Sequence, residues 1–442
     1  MRWARRIIWP VPVLIVGVAV VAVTGSVLLH GWALFTWPVA DWVQVSAQFH
    51  ESLVLAGPVL AGCAAWAAGV FTPRSSIVCP ASAPRSGAPL VLRQVGVLAG
   101  AGLLGYVLVL APLVVSTAVR ATAGGPDVLV IASGVAGLVV FAPAGYLIGV
   151  VLPRWAGILA AVVGSFAFVL AAELVGREAV AITPTWLTGL PSAGYEVNPV
   201  LSVFRVFFFV VLAACCVIAA ARWVSGRSTA TLRTSVSGLP VLALPAVIAL
   251  VALARPAEPL DYEEDPPRVC EDAGGIDVCV HQARADVLAP LAGAVADTAH
   301  AAGLSDSTLV DEVYDAILWD DDGTRDRVIL QLQLQDSDAW LDRAALDVAG
   351  EMSGARYCHR LSRDTAGMSG VPADEYLVSQ AVAHWIWASA GYAGFALQGG
   401  VHPDVDQTVD RLNQLPDEQV RDWIANHHAD LFDCDVALDE LP

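Results

Sequence analysis

The chain has 442 residues, 56% of them hydrophobic and 15% charged, which is too apolar for one soluble fold; the apolar excess lies in long runs within the first 255 residues. All 24 basic residues are arginine, so phosphate-loop, Schiff-base and Ser-Lys chemistry are excluded. The net charge of −19 divides into about +7 for Met1–Ala254 and about −26 for Arg255–Pro442; the acidic part repels nucleic-acid phosphates and suits either cation binding or solubility.

Seven segments approach the roughly 20 apolar residues that span a bilayer. They are Ile7–Leu29, Ser52–Phe71, Val95–Ser116, Val128–Leu152, Trp155–Val175, Val203–Ala221 and Leu239–Ala254, the last carrying Pro240 and Pro245. The basic start Met1–Arg6 precedes an apolar run too long for a signal peptide, so it reads as a retained anchor in the lipid bilayer. Arginines favour the cytoplasmic side. With the N-terminus inside, Arg2, Arg5, Arg6, Arg74, Arg85, Arg93, Arg154, Arg222, Arg227 and Arg233 are cytoplasmic. Asp41, Glu51, Asp127, Glu178 and Glu196 then fall outside, and so does everything after the seventh span.

Glu173 and Arg205 are the charged residues within spans, each near an outer end. They read either as side chains reaching headgroups and water or as an ion pair in an outer vestibule. Trp186 belongs to the same region, in a proline-punctuated loop, Gly176–Ser202, that either lies on the outer leaflet or is an ordinary structured loop. Gly96, Gly100, Gly102 and Gly105 suggest close helix packing.

Arg255–Pro267 is acidic and proline-rich and reads as an extended linker. Beyond it, residues 268–442 predict an α+β domain, a small antiparallel sheet covered by helices. Strands are expected on either side of Glu271–Gly275, at Leu309–Trp319 and at Arg327–Gln335, the last two around the polar turn Asp320–Gly323. Helices are expected at Ala283–Ala302, Ala339–Met352, Ala373–Ala390, Asp404–Leu415 and Asp417–Phe432. Cys63, Cys215 and Cys216 fall in spans and Cys79 in a cytoplasmic loop, whereas Cys270, Cys279, Cys358 and Cys434 all fall in the exterior domain. Four cysteines in an oxidising compartment predict two disulfides with three possible connectivities, of which Cys270–Cys279 and Cys358–Cys434 are favoured. A zinc site from Cys358, His359, Cys434 and His427 or His428 is the competing reading, at a spacing that matches no standard finger.

Catalytic signatures fail in turn. His50-Glu51 opens a zincin pattern whose second histidine is replaced by Val54. Gly367–Gly370 lacks the spacing of a nucleophile elbow. Asp320–Asp322 reads as a hairpin tip rather than a calcium loop, and His384 as a core histidine beside Trp385 and Trp387. No enzyme, cofactor or metal is expected.

Residues 1–225 resemble the permease subunits of ABC-2-type transporters, particularly divergent actinobacterial ones with an extra exterior C-terminal domain. The features are the basic N-terminus, six helices, the loop Thr72–Gln94 after the second, Gly145-Tyr-Leu-Ile-Gly149 closing the fourth, and the long fifth-to-sixth loop, where such permeases carry re-entrant elements. Cys270…Val-Cys279-Val-His281 and Leu415–Trp423 look like an extracytoplasmic domain of unassigned function. The resemblance implies a plasma-membrane permease working with a separate cytoplasmic ATPase subunit, as a homodimer, the exterior domain gating the path or recognising cargo. The alternative is a non-transporting sensor or scaffold whose exterior domain binds a ligand or protein.

Overall fold

The computed structural model describes residues 11–37, 39–71, 87–171, 177–185, 191, 193–226, 239–254, 258–304, 310–318, 327–332, 334, 339–358, 374–392 and 403–442. Cys79, Glu173, Trp186, Asp320–Gly323, His359 and Gly367–Gly370 lie outside the described residues. The chain divides into two compact units, Met1–Thr36 with Ala40–Glu263, and Trp37–Val39 with Glu264–Pro442.

The first unit is helical: α1 (Val13–Thr36), α2 (Trp42–Glu51), α3 (Leu53–Phe71), α4 (Ala88–Arg120), α5 (Val128–Val151), α6 (Arg154–Val169), α7 (Pro199–Gly226) and α8 (Ala243–Leu253). Among the described residues, five stretches are long and apolar enough to cross a membrane: Val13–Thr36, Trp42–Phe71, Ala88–Arg120, Val128–Val151 and Pro199–Ser225. Arg154–Val169 and Pro240–Leu253 are shorter apolar helices, below the roughly 20 residues a hydrocarbon core requires. Among the described residues the first helix begins at Val13, and the Pro12 carbonyl accepts from Ile15 and Val16. The second span is preceded by α2, whose polar residues hid it from a hydropathy reading.

The helices alternate in direction, as contacts at their ends show. At one end, the Ala193 N–H donates to Asp41 Oδ2 (2.6 Å) and the Asp127 N–H to Ser46 Oγ (3.0 Å). At the same end, β1 (Tyr195–Val197) pairs antiparallel with β2 (Leu260–Tyr262). At the other end, Gly69 lies against Arg154 and Gly87 against Ser225. The central α5 packs on α3, α6 and α7. Its Gly145 and Gly149 meet the Ala61 and Ala65 backbone so closely that a Cβ at either position would clash, so small residues set this approach. Gly102 and Gly105 likewise press on Leu60 and Val20, whereas Gly96 and Gly100 face open space.

The second unit is α+β, and its sheet departs from the expected antiparallel one. Strands run in the order β3 (Arg268–Asp272), β4 (Asp277–His281), β5 (Glu312–Asp315), β6 (Arg327–Leu330). Only β3–β4 is antiparallel; β4–β5 and β5–β6 are parallel. Parallel neighbours need a crossover, which α9 (Leu288–Ala302) supplies between β4 and β5. The alternation in 327–335 identifies which side chains face inward but carries no strand direction. Leu260–Tyr262, expected in an extended linker, is the strand β2.

Val278, Val280, Val313, Val328 and Leu330 line one sheet face, buried against α9, α10 (Trp340–Met352), α11 (Asp374–Ser389) and α13 (Asp417–Asp433); α12 (Pro403–Leu412) packs on α11. Leu291, Val295 and Ala299 fall on one face of α9 and are buried, each of the two larger side chains contributing about 2 kcal/mol. Cys279, Tyr314, Leu318 and Ile329 pack on the opposite face of the sheet. The cysteines pair as favoured: Cys270–Cys279 joins register partners of the hairpin, with Cα atoms 4.1 Å apart, and Cys358–Cys434 spans 5.5 Å. Sulfurs bonded to each other leave no thiolate for zinc. Arg284 pairs with the buried Asp315 at 2.6 Å; burial pushes the Asp315 carboxyl above its ordinary value, against the pull of Arg284.

Gly354, after α10, has φ +71°, and a Cβ there would strike the Leu431 carbonyl of α13. Gly354→Ala is expected to destabilise the second unit by about 2–4 kcal/mol, combining left-handed strain with overpacking, read as a lower melting temperature of the purified protein. His428 is 3% exposed, has no hydrogen-bond partner among the described residues on either ring nitrogen, and stacks on Phe432. Burial holds its imidazole below the ordinary 6.5; the Met352 backbone, outside hydrogen-bonding geometry, only partly opposes this. A lowered folded value gives stability that is complete above 6.5 and is lost as pH falls below it, by up to about 1.4 kcal/mol per pH unit. Melting between pH 7.5 and 5 is therefore expected to fall less steeply in His428→Leu than in the unchanged protein.

Candidate functional site

The helical unit buries an ionisable group of residues where α2 gives way to α3. α2 begins at Asp41, whose Oδ1 accepts from the Val43 N–H (2.9 Å), capping the helix. It ends at Ser52, whose Oγ donates to the Gln48 carbonyl (2.7 Å). Between them Ser46, Gln48 and His50 are all buried, at 1% exposure or less. The Tyr106 hydroxyl of α4 donates to the Phe49 carbonyl, and Gly134 of α5 allows the same carbonyl to approach its backbone. The helical break is thus held from two sides.

His50 is the centre. Its Nδ1 lies 2.7 Å from the Pro184 carbonyl, and its Nε2 lies 2.8 Å from Ser133 Oγ and 3.1 Å from the Val130 carbonyl. Both ring nitrogens face a carbonyl, which only accepts; the single hydrogen of the neutral ring is placed on Nδ1, toward Pro184, the shorter contact. Nε2 then accepts from the Ser133 hydroxyl in the neutral ring and donates to Ser133 Oγ in the charged one. Ser133 Oγ also lies 2.9 Å from the Val130 carbonyl, to which its hydroxyl can turn. Rotation of that hydroxyl therefore lets Ser133 bond either the His50 ring or the Val130 carbonyl.

Arg205, on the second turn of α7, is 1% exposed. Its Nη2 donates to the Val180 carbonyl (2.7 Å) and toward that of Thr185 (3.4 Å), and its Nε to Val180 (3.2 Å). The sequence allowed it to reach headgroups; in the fold the guanidinium is enclosed by protein. Its charge bears on the His50 ring and is met by that of Glu51. Glu173 and Trp186, the other members expected in the vestibule, lie outside the described residues; among the described residues Glu51 acts on Arg205.

The acceptors come from the segment 177–185, folded as a 3₁₀ turn (Arg177–Ala181) and an irregular stretch. Ala179, Val180 and Ala181 are buried against Leu201 of α7 and Ala252 of α8, so this part of the loop lies within the protein. The Thr185 hydroxyl donates to the Val169 carbonyl (3.0 Å), and Pro184 packs on α5, close to where a Gly137 side chain would lie. Residues 177–185 therefore cover His50 and Arg205 and supply hydrogen-bond acceptors to both. Gln48 Nε2, near Gly31, is buried without a partner. Among the described residues no group of three or more His, Cys, Asp or Glu is arranged to hold a metal.

His50 was visible in the sequence only as part of a failed zincin start, and Glu51 also as one of the exterior acids. The informative signal was the run Gln44, Ser46, Gln48, His50, polar positions directly ahead of an apolar span.

Removing one member of a buried charge pair strands the other. Arg205→Met and Glu51→Gln are each expected to lower the stability of the detergent-purified protein, by on the order of 3 kcal/mol for Arg205→Met and less for the half-exposed Glu51. The double variant is expected to lose less than the sum, and an additive result in thermal unfolding would show that the two charges are not coupled.

Comparison of the chain with models of protein families, with curated proteins and with solved structures finds no match in any of the three.

Proposed function

We propose that this chain is the permease-like subunit of an ABC-type membrane transporter, working with a separate cytoplasmic ATPase subunit. In this reading all seven apolar helices cross the plasma membrane, with the N-terminus cytoplasmic and the C-terminal unit extracytoplasmic. Their alternating directions and the arginine distribution support that topology. The observation that carries the proposal is the buried His50 and Arg205, with the partly exposed Glu51 beside them, under the folded segment 177–185. Ionisable residues inside a membrane bundle are costly and mark translocation paths, and this segment occupies the loop where the resembled permeases carry re-entrant elements. Two subunits would line the path, and the C-terminal unit would gate it or recognise cargo.

A second reading, a sensor or scaffold without transport, draws on a cleft of about 510 Å³ in the C-terminal unit, lined by Glu264–Arg268, Glu312, Tyr314 and Leu318. Its volume is that of a small-ligand site.

Purification of the tagged protein from its native membrane in mild detergent separates the readings. A stoichiometric ATPase bearing a phosphate loop is expected to co-purify. Recovery without one, where a control permease retains its own ATPase, would overturn the transporter reading in favour of the sensor.

A further inference from the structure

We infer that β3 is a self-pairing edge through which the C-terminal units of two copies of this chain join, antiparallel and centred on Cys270. β3 ends the sheet, with β4 on one side only, and all of its residues except Val269 are exposed. The groups it turns outward follow from its ladder. The Ala273 N–H donates to the Ile276 carbonyl (2.8 Å) and the Gln282 N–H to the Pro267 carbonyl (2.7 Å). With the register of the hairpin, this makes Pro267, Val269, Glu271 and Ala273 the residues that bond toward β4. The N–H and C=O groups of Arg268, Cys270 and Asp272 therefore point away from the sheet, and among the described residues nothing bonds them. Such an open row is a template for another strand, and charged side chains commonly guard it.

Here the charges guard it selectively. Arg268 and Asp272 stand at opposite ends of β3 on the face of Cys270, while Val269 packs on the core at the other face. A second β3, laid antiparallel with Cys270 opposite its own copy, brings Arg268 of each chain opposite Asp272 of the other. All three outward residues then form hydrogen-bonded pairs, and opposite charges meet at both ends. No neighbouring register does this. A shift by one residue sets outward groups against inward ones. A shift by two places Glu271 against its own copy in one direction, and in the other sets Asp272 against Pro266, which has no N–H. Arg268 can turn to the second copy at little cost, since its side chain is 60% exposed and 3.8 Å from Glu312, which also has Arg327 at 3.0 Å. A strand without this reciprocal pattern meets unpaired charges, so the occupant the edge selects is a second copy. The contact goes beyond the transporter reading, since a sensor would join through it equally.

The test is photo-crosslinking of the full-length protein in its native membrane, with p-benzoylphenylalanine replacing the exposed Glu271, which the register sets opposite Val269 of the second copy. Irradiation is expected to give a chain–chain adduct that mass spectrometry locates between position 271 and residues 267–271. Arg268→Asp and Asp272→Arg, each introduced alone, set like charges opposite each other and are expected to lower the adduct yield about fivefold. Co-expression of the two single variants gives each chain the charges its neighbour lacks, and the yield is expected to return. That return also shows both variants to be folded. The inference is overturned by the absence of an adduct, by an adduct with another protein or another part of this chain, or by a yield that the single substitutions leave unchanged. A loss that neither co-expression nor the double variant Arg268→Asp/Asp272→Arg restores overturns it as well. None of these outcomes bears on an ATPase partner, so the edge and the transporter reading can fail separately.

Discussion

A guanidinium enclosed by apolar helices must find acceptors within the protein, because no water replaces the hydration it has lost. Arg205 finds them in the carbonyls of Val180 and Thr185, and much of the helical unit is arranged around that requirement. Residues 177–185 must turn inward to present those carbonyls, which buries Ala179 and Val180 against α7 and α8. The same inward turn brings the Pro184 carbonyl to His50. One segment thus satisfies the buried groups of two helices, and the helices in turn hold the segment.

The glycines of α5 make this enclosure possible. Gly134 lets the Phe49 carbonyl approach, while Gly145 and Gly149 let α3 approach along Ala61 and Ala65. Contacts this close exchange side-chain volume for backbone proximity, which suits an environment where the hydrophobic effect does not drive helices together. The outcome is a polar interior fixed at one end of the helices and a tightly packed, apolar interface towards the other.

The C-terminal unit is stabilised differently. Its core is an ordinary hydrophobic one, between one face of a mixed sheet and four helices, reinforced by two disulfides. One clamps the hairpin that follows the connection from β2, and the other ties the end of α13 to the segment after α10. The chain therefore enters this unit through a braced element.

The sequence by itself determined the apolar helices, the split between a weakly basic and a strongly acidic part, which four cysteines are set apart in the acidic part, and most helix positions in the second unit. Each of these depends on composition or local periodicity, which a linear reading captures. Only the tertiary structure decided the rest. Strand direction in the sheet depends on the crossover through α9, and the period-two pattern of residues 327–335 is the same for either direction. α2 escaped hydropathy because its polar residues are buried by contacts with α4, α5 and residues 177–185, not exposed to solvent. Leu260–Tyr262 became a strand because Tyr195–Val197, more than sixty residues earlier, supplied the partner. His50 and Arg205 acquired a shared environment for the same reason: the hydrogen bonds that define it join positions 25 to 134 residues apart, and no local pattern records which distant carbonyl a buried donor will meet.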